Sequence, residues 1–215
     1  MYPEKELLDS WSLSRKSWDN YYSDASKNQL NNLEKNREPK IPIFDNFNRG
    51  RVAIFIDGSS LFYAALHLGV EIDYTKLLHC LVAGNKLLRP YFYTGVNSRN
   101  DKQHNFLLWM RRHGYRVVTK ELIEFADGSK KADLNIEITV DMMSLIGSYD
   151  TAVLVSGNGD LAYAVKAVSY RGVRVEIVSL NSMTSESLIN VADAYVDLQE
   201  IKNRIQKNPL ATVRS

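Results

Sequence analysis

The sequence predicts an α/β fold: a three-layer sandwich around a mainly parallel sheet of about five strands. Its strand-like runs are continuously apolar rather than alternating, the pattern of strands buried on both faces. Segments of helical period separate them, as βα units require. Two of the runs also end in one way. Arg51-Val-Ala-Ile-Phe-Ile-Asp57-Gly58-Ser59-Ser60 and Thr151-Ala-Val-Leu-Val-Ser-Gly157-Asn158-Gly159-Asp160 each pass from a buried strand through glycine and polar residues into a helix. In open parallel sheets, ligands sit outside the carboxyl ends of the strands, so Asp57 and Asp160 are expected to approach each other.

Residues 1–48 form an extension rich in Ser, Asn, Lys and Glu that nevertheless carries Trp11, Trp18, Tyr21 and Tyr22. The spacing of Trp11, Trp18 and Tyr22 puts them on one face of a helix, so the segment is either a docking helix for a protein partner or for self-association, or a loosely packed tail. Pro39, Pro42 and the polar run to Gly50 read as a linker. The domain then spans 49–198, with a helical tail over 199–215. After the first strand, helices are expected over 61–68, stopped by Gly69, and over 74–82, capped by Asp73 and closed by Gly84. A strand over 87–96, a helix over 100–113 and a strand over 115–119 follow. Asp127-Gly128 signals a hairpin or flap within 120–131. A helix over 132–146, the strand at Thr151, a helix over 159–170, a strand over 173–178 and a short helix over 185–191 complete the pattern.

With 215 residues, 45% apolar, the chain can bury one full α/β core plus an appendage. A net charge of +2 carries no basic field that demands nucleic acid. One cysteine, Cys80, excludes an internal disulfide, and four histidines without ligand spacing offer no zinc site. These features, with no apolar leader or membrane-length segment, lead us to expect a soluble, cytoplasmic protein with no membrane partner.

The chemistry lies in the carboxylates. Asp133, Glu137 and Asp141 recur every four residues and would share a helix face, spread over roughly 80° with its ends about 12 Å apart. Only one end can serve a site, and Asp133, preceded by Lys130 and Lys131, is best placed. Clustered carboxylates repel unless a cation neutralises them. Asp and Asn oxygens suit Mg²⁺ or Mn²⁺, which activate water and stabilise leaving oxygens in phosphodiester cleavage. Other phosphate chemistries fit less well: neither a P-loop nor a Gly-x-Gly-x-x-Gly motif is present, and no acid follows Asp57 two residues on.

Four motifs together carry a resemblance: Ile-Asp57-Gly-Ser-Ser-Leu, Lys130-Lys-Ala-Asp133 with Asp141, Leu-Val-Ser-Gly157-Asn158-Gly-Asp160-Leu, and Ser187-Leu-Ile-Asn-Val-Ala-Asp193. Over about 51–198 the chain resembles the NYN domain of the PIN-like nuclease superfamily, in its LabA-like branch known from cyanobacteria and linked to circadian output. The resemblance implies a PIN-like sandwich, a Mg²⁺-dependent ribonuclease ancestry, and acids at Asp57, Asp133 and Asp160. Two positions depart from the family pattern: Ser60 stands where Asn is usual, and Asn158 where Asp is usual. Asn158 keeps an oxygen but removes one charge, which weakens metal binding.

The expected site therefore has Asp57, Asp133 and Asp160 holding Mg²⁺ or Mn²⁺, Asn158 assisting, and Lys130, Lys131, Ser59 and Ser60 facing the substrate. The expected activity is hydrolysis of single-stranded RNA, with a catalytically weak regulatory module that binds RNA or protein as the alternative. Arg99, Lys102, Arg111 and Arg112 are further basic candidates, and Tyr93, Trp109 and Tyr163 are candidate stacking surfaces.

Overall fold

The computed structural model describes residues 48–97, 100–125 and 130–208. The expected aromatic docking helix lies outside them, as does Arg99. The first strand, β1 (Arg51–Asp57), is followed by α1 (Gly58–Leu68) and α2 (Tyr74–Val82). Next come β2 (Lys86–Val96), α3 (Asp101–Arg112) and β3 (Arg116–Glu121). Two short strands, β4 (Ile123–Glu124) and β5 (Lys130–Lys131), pair antiparallel as the hairpin expected from Asp127-Gly128. The chain continues through α4 (Asn135–Ser144), β6 (Thr151–Val155), α5 (Ala162–Ser169), β7 (Arg174–Ser179), α6 (Glu186–Ile189), β8 (Ala194–Asp197) and α7 (Leu198–Ile205).

Six strands form one sheet in the order β3-β2-β1-β6-β7-β8, and every neighbouring pair runs parallel. The expected five strands are all present. The sixth, β8, is a four-residue edge strand of mostly half-buried residues, too short to read as a buried run. Side chains alternate across the sheet, so β1 feeds two cores. Ile54 and Ile56 pack with Leu61, Leu77, Phe92, Leu107 and Ile201 beneath α1, α2, α3 and α7. Phe55 packs with Ile138, Met142, Leu154, Val165 and Leu188 beneath α4, α5 and α6. Each such fully buried side chain stabilises the fold by roughly 1.5–3 kcal/mol, and together they fix a helix layer on each face.

Three expectations change in detail. The helix expected from 132 begins at Asn135, so Asp133 precedes it in extended chain. The helix expected from 159 opens as a 3₁₀ turn, Gly159–Leu161, before α5. The linker expected up to Gly50 stops short of Arg49, which is buried. The Arg49 guanidinium lies 2.6 Å from the equally buried Glu176 and donates at 2.8 Å to the Leu81 carbonyl, tying the entry of β1 to β7 and α2. A buried ion pair between residues 127 apart has no local sequence signal.

Among the described residues no helix is long and apolar enough to cross a membrane.

Candidate functional site

Strand order reverses between β1 and β6, so the sheet has its topological switch point there, and the crevice outside their carboxyl ends is where such sheets bind ligands. Asp57 closes β1, with its neighbour in register, Tyr93, at the same height on β2. Its carboxylate is also the N-cap of α1. Oδ1 accepts from the Ser59 amide (3.1 Å), the Ser59 hydroxyl (2.7 Å) and the Ser60 amide (3.2 Å). Oδ2 accepts from the Ser60 hydroxyl (2.6 Å) and the Ser156 hydroxyl (3.1 Å). Both oxygens are thus held by donors from the protein itself, and Ser59 and Ser60 spend their hydroxyls on Asp57.

Across the switch point, the Asn158 amide donates to Ser156 Oγ at 3.2 Å. The Asn158 carboxamide caps the 3₁₀ turn by accepting from the Asp160 amide (3.0 Å), and its Nδ2 donates to Asn135 Oδ1 (3.1 Å). Asn135 in turn donates its backbone amide to Asp133 Oδ1 at 2.8 Å. One hydrogen-bonded line therefore runs from Asp57 through Ser156 and Asn158 to Asn135 and Asp133. Lys120, from the end of β3, closes the far side by donating to the Asp133 carbonyl (2.8 Å) and pairing with Glu137 (2.9 Å). The second carboxylate oxygen of Glu137 is buried without a hydrogen-bond partner.

The remaining candidates separate clearly. Asp160 is exposed at the rim. Asp141 faces the core side of α4, where it accepts from the Tyr93 hydroxyl at 2.9 Å. Burial, followed by the nearby Asp141 charge, raises the Tyr93 pKa far above the ordinary phenol value and keeps it a donor. Tyr93 is therefore no stacking surface. Trp109 is half-buried and stacks on His113 with centroids 4.0 Å apart, whereas Tyr163 stands 84% exposed just beyond the Asp160 turn. Lys131 is exposed on β5, two residues before Asp133 in the chain, and Lys130 belongs to the same short strand. Lys102, Arg111 and Arg112 are exposed on α3, in the opposite helix layer.

The sequence matches the NYN domain family over residues 51–199, the whole of the sheet and every helix but most of α7. The chain is a NYN-domain protein. Its LabA-like character is supported by the low amplitude and bright protein LabA of Synechococcus elongatus, 36% identical over 169 residues, covering 75% of this chain and 90% of that protein. A crystal structure of a protein of unknown function from Vibrio parahaemolyticus superposes with a TM-score of 0.62 at 26% identity, covering 70% of this chain and 94% of that one. Sequence and fold therefore place this chain in a nuclease-related family whose domains generally use divalent metals.

The donor set of this NYN domain fits such a metal poorly. Among the described residues, no three His, Cys, Asp or Glu side chains gather into a group that could hold an ion. Asp57, Asp133 and Asp160 lie along one crevice, but amides and hydroxyls stand between them. Sequence reasoning overlooked Ser156, Asn135 and Lys120, the three residues that knit the line together. The pattern Ser-Gly-Asn after a buried strand is the signal that could have found the first. Asn135 carried no signal, because its role depends on the helix starting two residues after Asp133.

Proposed function

We propose that this NYN domain holds single-stranded RNA at the switch-point crevice and acts in regulation, with metal-dependent cleavage weak or lost. The observation that carries the reading is the neutral pair at its centre, Asn158 Nδ2 donating to Asn135 Oδ1. Mg²⁺ requires near-octahedral oxygen geometry and is commonly held by one or two carboxylates together with substrate phosphates. Asp57, the carboxylate that ends β1, already accepts five hydrogen bonds, so an ion there competes with those donors. Lys130 and Lys131 supply the cationic flank for a phosphate backbone.

The competing reading, a Mg²⁺ or Mn²⁺ ribonuclease using Asp57, Asp133 and Asp160 with Asn158 assisting, draws on the same position of Asp57 at the switch point. Under it, Asp57 and Asp160 would hold the ion, which would supply an activated water, and Lys130 would face the phosphate.

One experiment separates them. A labelled single-stranded RNA is titrated with the protein in EDTA and then in Mn²⁺, and product is followed on a gel. The expected result is binding in both conditions with little cleavage. The joint change Asn135→Asp and Asn158→Asp should raise Mn²⁺ affinity at least about tenfold, since each added charge within a few Å of a dication contributes more than ~1.4 kcal/mol. Rapid cleavage by the native chain, stopped by EDTA and by Asp57→Asn, would establish the nuclease instead. Asparagine still caps α1, so loss of activity in that variant would not reflect loss of fold.

A further inference from the structure

Nine large hydrophobic side chains are exposed among the described residues, and four of them lie on α4 and at α5, two helices packed side by side in one layer. Ile136 (72% exposed) and Val140 (53%) recur at helical spacing along the outer face of α4. Tyr163 (84%) and Tyr170 (77%) do the same from the start of α5 to the residue just beyond its end. The inner faces of the same helices are filled by Ile138, Met142, Val165 and Val168. Single exposed apolar residues are ordinary, but an aligned set on neighbouring helices marks a surface that something covers.

We infer that the covering element is residues 11–22 of the same chain, docked along the stripe of α4 and α5 with Trp11, Trp18 and Tyr22 facing it. The extension joins the domain at Asn48, which lines one cleft with Ser169, Gly172 and Val173. It therefore leaves the fold beside the end of α5, at one end of the stripe. A coil of 25 residues, the number from 23 to 47, reaches roughly 25–30 Å, whereas α5 is only about 12 Å long. The reach is ample. Two of the three tryptophans in the chain lie in this segment, and each aromatic ring can bury about 150–250 Å². The repeats match: an i, i+7, i+11 aromatic face meets a surface whose own apolar residues recur at i, i+4 and i, i+7. Tethering sets a local concentration near the millimolar range, which favours docking in the same molecule over docking on a second copy at micromolar protein. This inference does not depend on the RNA reading.

The test uses the full chain. A photo-crosslinking phenylalanine is placed at the Val140 position, and a 1:1 mixture of isotopically light and heavy protein is irradiated and digested. Docking in the same molecule predicts crosslinked peptides from residues 5–22 that are light-light or heavy-heavy only. Mixed light-heavy pairs would assign the surface to a second copy, and crosslinks lacking the extension would remove its role; either overturns the proposal. In parallel, Ile136→Glu and Val140→Glu should shift tryptophan emission to the red, while Leu88→Glu, on an exposed position of β2, should leave it unchanged. Both sites are more than half exposed, so the fold tolerates the charge. Unchanged emission in both stripe variants would also sink the inference.

Discussion

Asp57 shows how one carboxylate serves the fold and marks the site together: it ends a buried strand, caps α1 and points both oxygens at the switch point. Asn158 does the equivalent for the second turn with an uncharged side chain. Charge is handled differently elsewhere. Burial lowers the Arg49 pKa and its pairing with Glu176 opposes that, so the pair is held in the interior by two hydrogen bonds between the side chains. Arg174 adds a further bond to Glu176 at 2.8 Å. Arg51 and Asp150 form the exposed counterpart, with hydrogen bonds from the Arg51 side chain and backbone holding the Asp150 carboxyl at about 2, below its ordinary value of 3.8. A depressed acid contributes stability above its unfolded pKa and loses it as pH falls through the folded one. The Asp150→Asn variant should therefore melt below the native protein at neutral pH, with the gap closing between about pH 4 and pH 2 in thermal scans. A gap that stays constant across that range would show that Asp150 titrates as a free carboxyl.

At the scale of elements, the site depends on how tightly the turn after β6 packs against the loop leading to α6. Gly157 and Gly159 suit this turn because of close approach rather than unusual backbone angles. A Cβ at Gly157 would run into the Met183 carbonyl and lie 2.9 Å from Ser179 Oγ, whereas one at Gly159 would meet Ser185 Oγ at 2.6 Å. The first obstacle is backbone; at the second the Ser185 hydroxyl can rotate away, but the Ser185 Cβ, at 2.8 Å, moves only with its backbone. Gly157→Ala should accordingly cost about 1–3 kcal/mol, a fall in melting temperature of roughly 3–10 °C, and Gly159→Ala a loss of the same order. Equal melting temperatures for native protein and Gly157→Ala would show that this loop yields freely. Helix and strand identities were legible because length, flanking turn residues and β-branched content separate them: the five-residue apolar run of β1, closed by Asp57-Gly58, is too short for a helix. The start of α4 was not, since Asp133 stands one residue before the N-cap, reaching only the Asn135 amide, and the N-cap itself, Leu134, carries no capping side chain.

For the whole molecule, parallel strands and alternating helices were enough to place the candidate crevice, because the switch point of such a sheet follows from topology. What the sequence could not convey was the spacing among the acids. Asp57, Asp133 and Asp160 looked like a set because each follows or precedes a strand, yet a side-chain amide pair and three serine hydroxyls come between them, and those contacts join residues 23 and 99 positions apart. Global charge was equally uninformative about RNA, at +2. If RNA binds where we propose, its electrostatic component must come from a local flank rather than from a basic field. Two lysines, 130 and 131, then predict a shallow salt dependence. The slope of log affinity against log salt should be about −1.4 for single-stranded RNA, at roughly −0.7 per neutralised phosphate. Replacing Lys131 with Ala should reduce that slope by about half and weaken binding to all sequences alike, because a phosphate contact carries no base preference. Fluorescence anisotropy at several salt concentrations measures both quantities. A slope several times steeper would place the strand on a broader basic surface, with Lys102, Arg111 and Arg112 of α3 as its next members, and would move the RNA away from the switch point.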